Sequence, residues 1–295
     1  MHYSVAQQSN QGGRDYNEDS ISVFERDGSI LLVVADGLGG HAGGDVASQT
    51  LIEAVSDSFK RATDAQLENA ENFFSLSINY AHHMIHRRAV SRGFTVDSPK
   101  TTCVICLVHN GIAQWAHSGD SRLYLIQNHE ITMATEDHVS IKEGRDPNNS
   151  PINRCVGGLE LPRPDISEPL ELQEGDILML ASDGAWHSFE PKDLDDYVDP
   201  QHPALGLDSL LQKLEHRNKS PSDNLSMILL FWGVEQLESP MFDEFYEESS
   251  ITLVDTHKSD DDNTDTSDQP KFDMENLDKT ITEIESFISD VSDKI

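Results

Sequence analysis

The sequence predicts an α+β protein in which antiparallel sheets pack against helices. Short apolar runs recur between residues 3 and 232, separated by turn signals such as His109-Asn110-Gly111, as in hairpin-connected strands. Two long segments with apolar residues at helical spacing, 44–61 and 65–90, interrupt the strands early in the chain. Locally paired strands with a few helices favour layered sheets over a parallel α/β sheet.

The predicted elements follow one another along the first 232 residues. Strands are predicted at 3–8, 20–25, 30–35, 101–108, 112–117, 123–127, 131–134, 165–171, 176–181 and 225–232. Two later helices are predicted at 191–198 and 203–216. Residues 136–164 are rich in Pro, Asn, Gly and charge, and we interpret them as a long surface loop.

Three histidines lie on the second long helix. His82 and His86 have the spacing of two ligands on one helix face, and His83 lies between them. Because no third ligand is near in sequence, we interpret them as a solvated or partly packed helix surface rather than a zinc site.

The composition excludes several classes of partner. The 295 residues carry 53 acidic and 21 basic side chains, a net charge of −32, which argues against nucleic acid and anionic membranes.

Three cysteines form a sparse, odd set, so we expect reduced thiols. No stretch approaches a membrane span, and the N-terminus lacks the features of a signal peptide. We therefore expect a cytoplasmic protein.

A change of composition at about residue 236 predicts two parts. Residues 1–236 carry the predicted strands and helices, whereas residues 237–295 are strongly acidic and should be largely disordered. Within this tail, residues 277–295 repeat apolar side chains at three- and four-residue spacing, which predicts an amphipathic helix. So short a helix is marginal alone, and we expect it to dock a partner, a second copy or its own domain. A simply solvated tail is the alternative.

Four aspartate motifs lie where predicted strands begin or end. They are Asp36-Gly37, Gly119-Asp120-Ser121-Arg122, Ser182-Asp183-Gly184 and Asp223-Asn224. Strand ends of stacked sheets meet at one rim, and converging carboxylates repel each other unless cations neutralise them. Oxygen ligands favour Mg²⁺ or Mn²⁺ over zinc, and two such ions can clamp a phosphoryl group. Four unrelated turns are the alternative.

A charged turn near the N-terminus supplies further candidate groups. Arg14 can hold phosphate oxygens in a bidentate fork. Asn17, Glu18 and Asp19 follow it directly and can bind metal-held waters. Together with the four aspartate motifs, this turn indicates phosphoryl chemistry.

In their order and spacing these motifs resemble the metal-dependent protein Ser/Thr phosphatase family (type 2C), in its bacterial form. The resemblance covers about residues 3–233 and includes Thr101-Thr102 and Asp137-His138. It implies an αββα sandwich of two antiparallel β-sheets flanked by helices. It also implies hydrolysis of phosphoserine and phosphothreonine on proteins by in-line attack of a metal-bridging hydroxide. The implied partners are a phosphoprotein substrate and its opposing Ser/Thr kinase.

The resemblance also implies a role for each site residue, with two Mg²⁺ or Mn²⁺ ions and a third, looser metal site as cofactors. Asp36 is implied to bridge two metals, with the Gly37 carbonyl on the first and Asp183 and Asp223 on the second. Asp120 joins Asp183 at the third site, and Arg14 binds the substrate phosphate. Glu18 and Asp19 act on the metals through water, and Asn224 also lies outside the direct ligands.

Two departures from the family pattern affect the chemistry. Many eukaryotic members have a histidine two residues after the bridging aspartate, where this chain has Leu38. We therefore expect His41 or a metal-bound water to protonate the leaving group, and packing of His41 against its turn is the alternative. The flap segment, residues 140–152, is compact for the family and borders the substrate cleft there, so substrate selectivity can differ.

Two other functions remain alternatives. A pseudophosphatase scaffold would bind partners through the fold and tail, but such members typically lose metal-binding aspartates, and Asp36, Asp183 and Asp223 are all present. A metal-dependent phosphatase acting on a small molecule would use the same site residues.

Overall fold

The computed structural model describes residues 2–26, 28–38, 43–95, 99–140, 150–218 and 222–237. These residues form twelve strands and six helices. The strands are β1 (Tyr3–Asn10), β2 (Asp19–Arg26), β3 (Ser29–Leu38), β4 (Lys100–Thr101), β5 (Cys103–His109), β6 (Ile112–Ser118), β7 (Arg122–Gln127), β8 (Glu130–Ala134), β9 (Asp165–Ile166), β10 (Leu170–Glu171), β11 (Ile177–Ala181) and β12 (Leu225–Trp232). The helices are α1 (Gly44–Arg61), α2 (Asp64–Glu68), α3 (Ala70–Ser91), α4 (Asp183–Trp186), α5 (Lys192–Tyr197) and α6 (Pro203–Arg217).

The strands form two antiparallel sheets. One has the order β1-β12-β11-β7-β8. The other has the order β10-β6-β5-β3-β2, with β4 paired to β3 and β9 paired to β6. The first and last described strands, β1 and β12, are therefore neighbours, which joins the two ends of the folded part.

The core of the protein has three apolar layers, and β3 shows why. Its odd-numbered side chains from Leu31 to Ala35 pack against α1 and α3. Its even-numbered side chains from Ile30 to Val34 face the other sheet and meet Leu180 and Ile228. Because both faces of this strand are covered, its sequence is a continuous apolar run instead of an alternating pattern.

The other sheet is covered on its outer face by α4, α5 and α6. Met227 and Leu229 of β12 pack there against Leu207 and Leu211 of α6. The order of layers is therefore helix, sheet, sheet, helix, and the predicted αββα sandwich is confirmed.

The structure differs from the predicted elements in four places. The strand predicted at 101–108 is divided at Thr102 into β4 and β5. The helix predicted at 65–90 is divided at Asn69, whose side chain accepts a hydrogen bond from the Asn72 backbone N–H and starts a new helix. The strand predicted at 165–171 is two short strands, both paired with β6. The short helix α4, which begins at Asp183, was not predicted.

The interpretation of the α3 histidines as a helix surface is wrong. His82, His83 and His86 are 2%, 3% and 6% exposed. They are buried because the chain around Gly157 crosses this face of α3, and His86 Nε2 donates to the Gly157 carbonyl. Because His86 and Gly157 are 71 residues apart, the spacing of residues along the helix does not reveal that this face is covered.

Some predictions lie outside the described residues. These include His41 in the glycine turn after β3 and the amphipathic segment 277–295. In the part of the chain that the structure describes, no helix combines the length and apolar character needed to cross a membrane.

Candidate metal centre

The first two carboxylates of the site come from neighbouring strands. Asp19, at the start of β2, is paired directly with Asp36 near the end of β3. The Asp36 backbone is held on its other side by Thr102, whose Oγ1 accepts from Asp36 N at 2.9 Å and whose N donates to Asp36 O at 2.8 Å. Thr101 Oγ1 donates to the same carbonyl at 2.9 Å. The end of β3 is therefore held by hydrogen bonds along both of its edges.

Gly37 is surrounded closely by backbone. A Cβ at this position would lie 2.4 Å from the Gly44 carbonyl and 2.7 Å from the Glu18 carbonyl. Gly37 N also donates to Glu18 O at 3.2 Å. The absence of a side chain therefore allows the start of α1 and the Glu18 loop to pack against the end of β3.

Two further carboxylates come from the other sheet. Asp183 is the first residue of α4, directly after β11, and Asp223 precedes β12. A Cβ on Gly184 would lie 2.1 Å from the Asn224 carbonyl oxygen, so only glycine permits this approach. The close packing of α4 on the start of β12 brings Asp183 beside Asp223, and their charges interact.

Ser182 connects the two sheets at the site. Its Oγ donates to Asp19 Oδ2 at 2.8 Å and accepts from Ser226 N at 3.0 Å. Ser182 belongs to the Ser182-Asp183-Gly184 motif, but the sequence alone indicates no role for it. The signal available was a small hydroxyl side chain directly before a site aspartate.

Asp120 is held in place through its backbone. Trp186 Nε1 donates to the Asp120 carbonyl at 2.8 Å. The Arg122 guanidinium stacks on the Trp186 ring at 3.4 Å and forms a bidentate ion pair with Asp137, at 2.7 and 2.8 Å. The Asp120 loop is thus fixed between α4 and the beginning of the flap region.

Arg14 lies at the site but is bound to a carboxylate of the protein. Its Nη2 donates to Asp223 Oδ2 at 2.6 Å, and about half of the side chain is exposed. The Asn224 amide fastens the loop that carries Arg14, since Nδ2 donates to the carbonyls of Gln11 and Tyr16, at 2.7 and 2.9 Å. Asn224 Oδ1 accepts from Glu18 N at 3.0 Å, so this side chain orders the loop.

The electrostatics show that these acids form one cluster. Burial, followed by repulsion from neighbouring aspartates, raises the pKa of Asp36 well above its ordinary value. The same two causes raise the pKa of Asp183, and raise those of Asp19 and Asp120 to about 7. The protein alone therefore does not stabilise all these carboxylates in their charged form, and a bound cation would.

The residues fit a hard divalent cation. Asp19, Asp120 and Asp183 each have a buried Oδ1 without a hydrogen-bond partner among the described residues. Buried carboxylate oxygens normally have a partner, and a metal ion is one that would satisfy several together. A donor set of carboxylate and carbonyl oxygens suits Mg²⁺ or Mn²⁺.

A second cluster, His117, His138 and Asp165, has ligand atoms within 4.8 Å of one another. Gly119 N donates to His138 Nδ1 at 3.2 Å, which leaves the ring proton on Nε2, and this nitrogen bonds Asp165 Oδ2 at 3.0 Å. Both ring nitrogens of His138 are therefore occupied. We interpret this cluster as a hydrogen-bonded support for the Gly119 turn.

Comparison with known proteins agrees with this geometry. The family model for protein phosphatase 2C matches residues 6–217, well over half of the chain. The chain belongs to the protein phosphatase 2C family. The sequence expectation of a bacterial-type member is confirmed by this match together with the bacterial relatives described next.

Curated relatives of this 2C-family chain carry phosphatase names. It is 32% identical to the serine/threonine phosphatase Stp of Listeria monocytogenes over 184 residues, which covers 58% of this chain and 73% of Stp. It is 25% identical to the protein phosphatase PhpP of Streptococcus pneumoniae over 241 residues, covering 76% of this chain and 95% of PhpP.

Solved structures share the fold. The serine/threonine phosphatase of Streptococcus agalactiae superposes with a TM-score of 0.69 at 22% identity, covering 79% of this chain and all of that one. The catalytic domain of the phosphatase PstP, solved with two manganese ions, gives a TM-score of 0.64 at 25% identity, covering 78% and 97% of the two chains.

Proposed function

We propose that this enzyme is a metal-dependent phosphatase that hydrolyses phosphoserine and phosphothreonine on proteins, using Mg²⁺ or Mn²⁺. The observation that carries the proposal is the convergence of buried aspartates from both sheets, three of which have an oxygen without a partner among the described residues. The names of the 2C relatives and the manganese ions in PstP support the same activity.

The metal-binding roles are assigned by the family motifs and supported by the position of each residue. Asp36, the Gly37 carbonyl, Asp183 and Asp223 would hold two ions, and Asp120 would contribute to a third site. Glu18 and Asp19, at the end of the Arg14 loop, would act on the ions through water. Asn224, directly before β12, would hold that loop in place. Bound Mg²⁺ or Mn²⁺ would supply Lewis acidity and a water acidic enough to act near neutral pH.

Arg14 would bind the substrate phosphate. In the structure its guanidinium pairs with Asp223, and its exposure leaves it free to turn toward a phosphate. Arginine suits this role because its planar fork donates two parallel hydrogen bonds to phosphate oxygens. The ion pair with Asp223 would keep the Arg14 side chain beside the metal-binding aspartates before substrate binds.

The leaving group needs a proton, and His41 or a bound water would provide it. Leu38 occupies the position where many eukaryotic members carry a histidine. If His41 is the acid, His41→Ala slows a phosphopeptide much more than an activated aryl phosphate, whose leaving group needs little protonation. Equal slowing of both substrates would assign His41 a packing role.

The remaining parts of the proposal concern domains and partners. Residues 1–236 would form the catalytic domain, and residues 277–295 of the acidic tail would dock a protein partner or the protein itself. The phosphoprotein substrate would be one phosphorylated by a Ser/Thr kinase that opposes this enzyme.

The decisive test is turnover of matched phosphothreonine and phosphotyrosine peptides by the full chain at defined metal concentrations. We expect phosphothreonine hydrolysis with Mn²⁺ that is abolished by EDTA and by Asp183→Asn. No turnover at saturating Mn²⁺ would contradict the proposal and favour a scaffold. Turnover of small phosphate esters but of neither peptide would favour a small-molecule substrate.

A further inference from the structure

Two buried histidines of α3 hold a distant glycine pair. His86 Nε2 donates to the carbonyls of Gly157 and Gly158, at 3.0 and 2.9 Å. His82 Nδ1 accepts from Gly157 N at 3.2 Å. The two imidazole rings lie 4.2 Å apart between their centroids. The contact therefore pairs both glycine carbonyls and the Gly157 N–H, as buried backbone groups require.

The contact is specific to glycine and to neutral histidine. Gly157 has φ +88°, and a Cβ there would lie 2.4 Å from the Pro99 carbonyl oxygen. Burial, with the neighbouring His86 and His83, lowers the pKa of His82 to about 3, so its Nδ1 remains an acceptor at neutral pH. The arrangement is therefore a fixed clamp on residues 157–158, which follow the flap segment.

A short path of hydrogen bonds connects this clamp to the metal centre. Val156 precedes the clamped glycines and exchanges two backbone hydrogen bonds with Thr101, each 2.9 Å. Thr101 pairs with Gly37 in the β3–β4 ladder, and its Oγ1 donates to the Asp36 carbonyl at 2.9 Å. The histidines are thus three contacts away from the backbone of the proposed bridging aspartate.

We infer that His82 and His86 are positioning residues for the divalent-cation site, because they fix Val156 and Thr101 and thereby the end of β3 at Asp36 and Gly37. The inference rests on the proposed function, since it concerns the affinity of that site for its metal. Neither histidine is among the residues that would hold the cation. They set the position of β4, against which the Gly37 backbone is held.

The test is Mn²⁺ binding to the full chain, measured by titration calorimetry well below the unfolding temperature. His86→Phe keeps a planar, slightly larger ring but removes the donor to two buried carbonyls, and we expect the Kd for Mn²⁺ to rise about three- to tenfold. His86→Gln places an amide donor near the position of Nε2 and should restore most of the affinity.

The matched control is Ile78→Val, a change on the same helix at a buried side chain that has no polar atom. Ile78→Val should lower stability and leave Mn²⁺ affinity unchanged. If both variants weaken Mn²⁺ binding equally, or if His86→Phe binds Mn²⁺ as the wild type does, the inference is wrong.

A second variant covers the case in which His86→Phe does not fold. Thr101→Val removes the Oγ1 bond to the Asp36 carbonyl and so interrupts the path at its other end. Combined in a double-mutant cycle with His86→Ala, which removes the donor without adding a larger ring, it should show non-additive effects on Mn²⁺ affinity. Additive effects would overturn the inference. If the wild type itself binds no Mn²⁺, the proposed function has failed instead.

Discussion

The carboxylate of Asp183 is buried in a cluster of like charges, so its ionised form lowers the stability of the metal-free protein. Removing the charge should stabilise that form, because repulsion with Asp223 and burial both disfavour the ionised group. We expect Asp183→Asn to raise the Tm of the EDTA-treated protein by roughly 2–4 °C, about 1 kcal/mol, in calorimetry. The same change should abolish the rise of Tm that Mn²⁺ causes in the wild type.

The control for this prediction is Asp196→Asn, at an exposed position of α5. It should change neither the metal-free Tm nor the response to Mn²⁺. A metal-free Tm of Asp183→Asn below that of the wild type would show that the carboxylate is stabilising without a cation.

Arg14 should contribute to substrate binding through geometry as well as charge. Arg14→Ala removes charge-assisted hydrogen bonds to the phosphate, and we expect kcat/KM for a phosphopeptide to fall about 10- to 100-fold. Arg14→Lys keeps the charge but loses the planar fork, so its kcat/KM should be intermediate. Steady-state kinetics at saturating Mn²⁺ would measure both. Equal activities of the Lys variant and wild type would exclude bidentate binding.

Sequence reasoning found the acidic side chains of the site more readily than their supports. Asp36 and Asp183 were recognisable because each follows an apolar strand and precedes glycine. Ser182 and Thr102 were not given roles, since a hydroxyl acquires its function only from the partner that the fold brings to it. The buried state of His86 was missed for the same reason, because its acceptor lies 71 residues away.

The packing of α4 on β12 should control the distance between Asp183 and Asp223, the two proposed metal ligands from the same sheet. Gly184→Ala would place a Cβ 2.1 Å from the Asn224 carbonyl oxygen, so the backbone must move and Asp183 with it. We expect both stability and Mn²⁺ affinity to fall. Gly206→Ala in α6 is the matched control, since its Cβ would meet the Tyr197 carbonyl oxygen at 1.9 Å. This control should lower the Tm while the folded protein keeps its Mn²⁺ affinity.

Helix α3 should make the protein sensitive to acid through His82. Its pKa falls from the ordinary value of 6.5 to about 3 in the folded protein, so between these values the unfolded chain binds the additional proton. The free energy of unfolding should therefore decrease as the pH falls through this window, with a slope up to about 1.4 kcal/mol per pH unit.

Denaturant unfolding at several pH values would measure this slope against His82→Asn, which keeps an acceptor near the position of Nδ1 but cannot titrate. The variant should have the smaller loss of stability in acid. Identical slopes would show that His82 does not contribute to the acid sensitivity. Comparing the two proteins cancels the opposite contribution of the site carboxylates, whose pKa values are raised.

Long elements were predictable, and short ones were not. The apolar run of β3 and the periodicity of α1 carry signals over many residues, and both elements form where expected. Helix α4 has only four residues, too few for a periodic pattern, and it forms because β12 and α6 enclose it. The division between α2 and α3 depends on the Asn69 side chain, which caps the start of α3. The apolar periodicity of residues 65–90 continues across this position and therefore does not reveal the cap.

The folded part of the chain should function without the acidic tail. The last described contacts are those of Gln236, whose Oε1 accepts from Val5 N at 3.2 Å, and Leu237, whose N donates to Gln201 O at 3.1 Å. We expect a protein ending at Leu237 to retain its Tm and its activity on an aryl phosphate. Lost activity would place part of the catalytic domain in the tail.

The same truncation tests the proposed role of residues 277–295. If this segment docks a partner or a second copy, its removal should change the oligomeric state or the capture of that partner. Light scattering on both lengths of chain would measure the first effect. An unchanged oligomeric state together with unchanged partner binding would leave the tail a solvated segment.

The two ends of the flap segment are joined before they reach the catalytic centre. Val139 pairs with Ile152, Ser140 N donates to Pro151 O at 2.9 Å, and Asn153 N donates to His138 O at 2.9 Å. Sequence changes between these ends should therefore leave the paired ends in place, and doubling the enclosed length costs only about 0.6 kcal/mol in loop closure. We therefore expect that the length and sequence of the flap can change, in related enzymes or by loop grafting, while the metal-binding aspartates keep their positions.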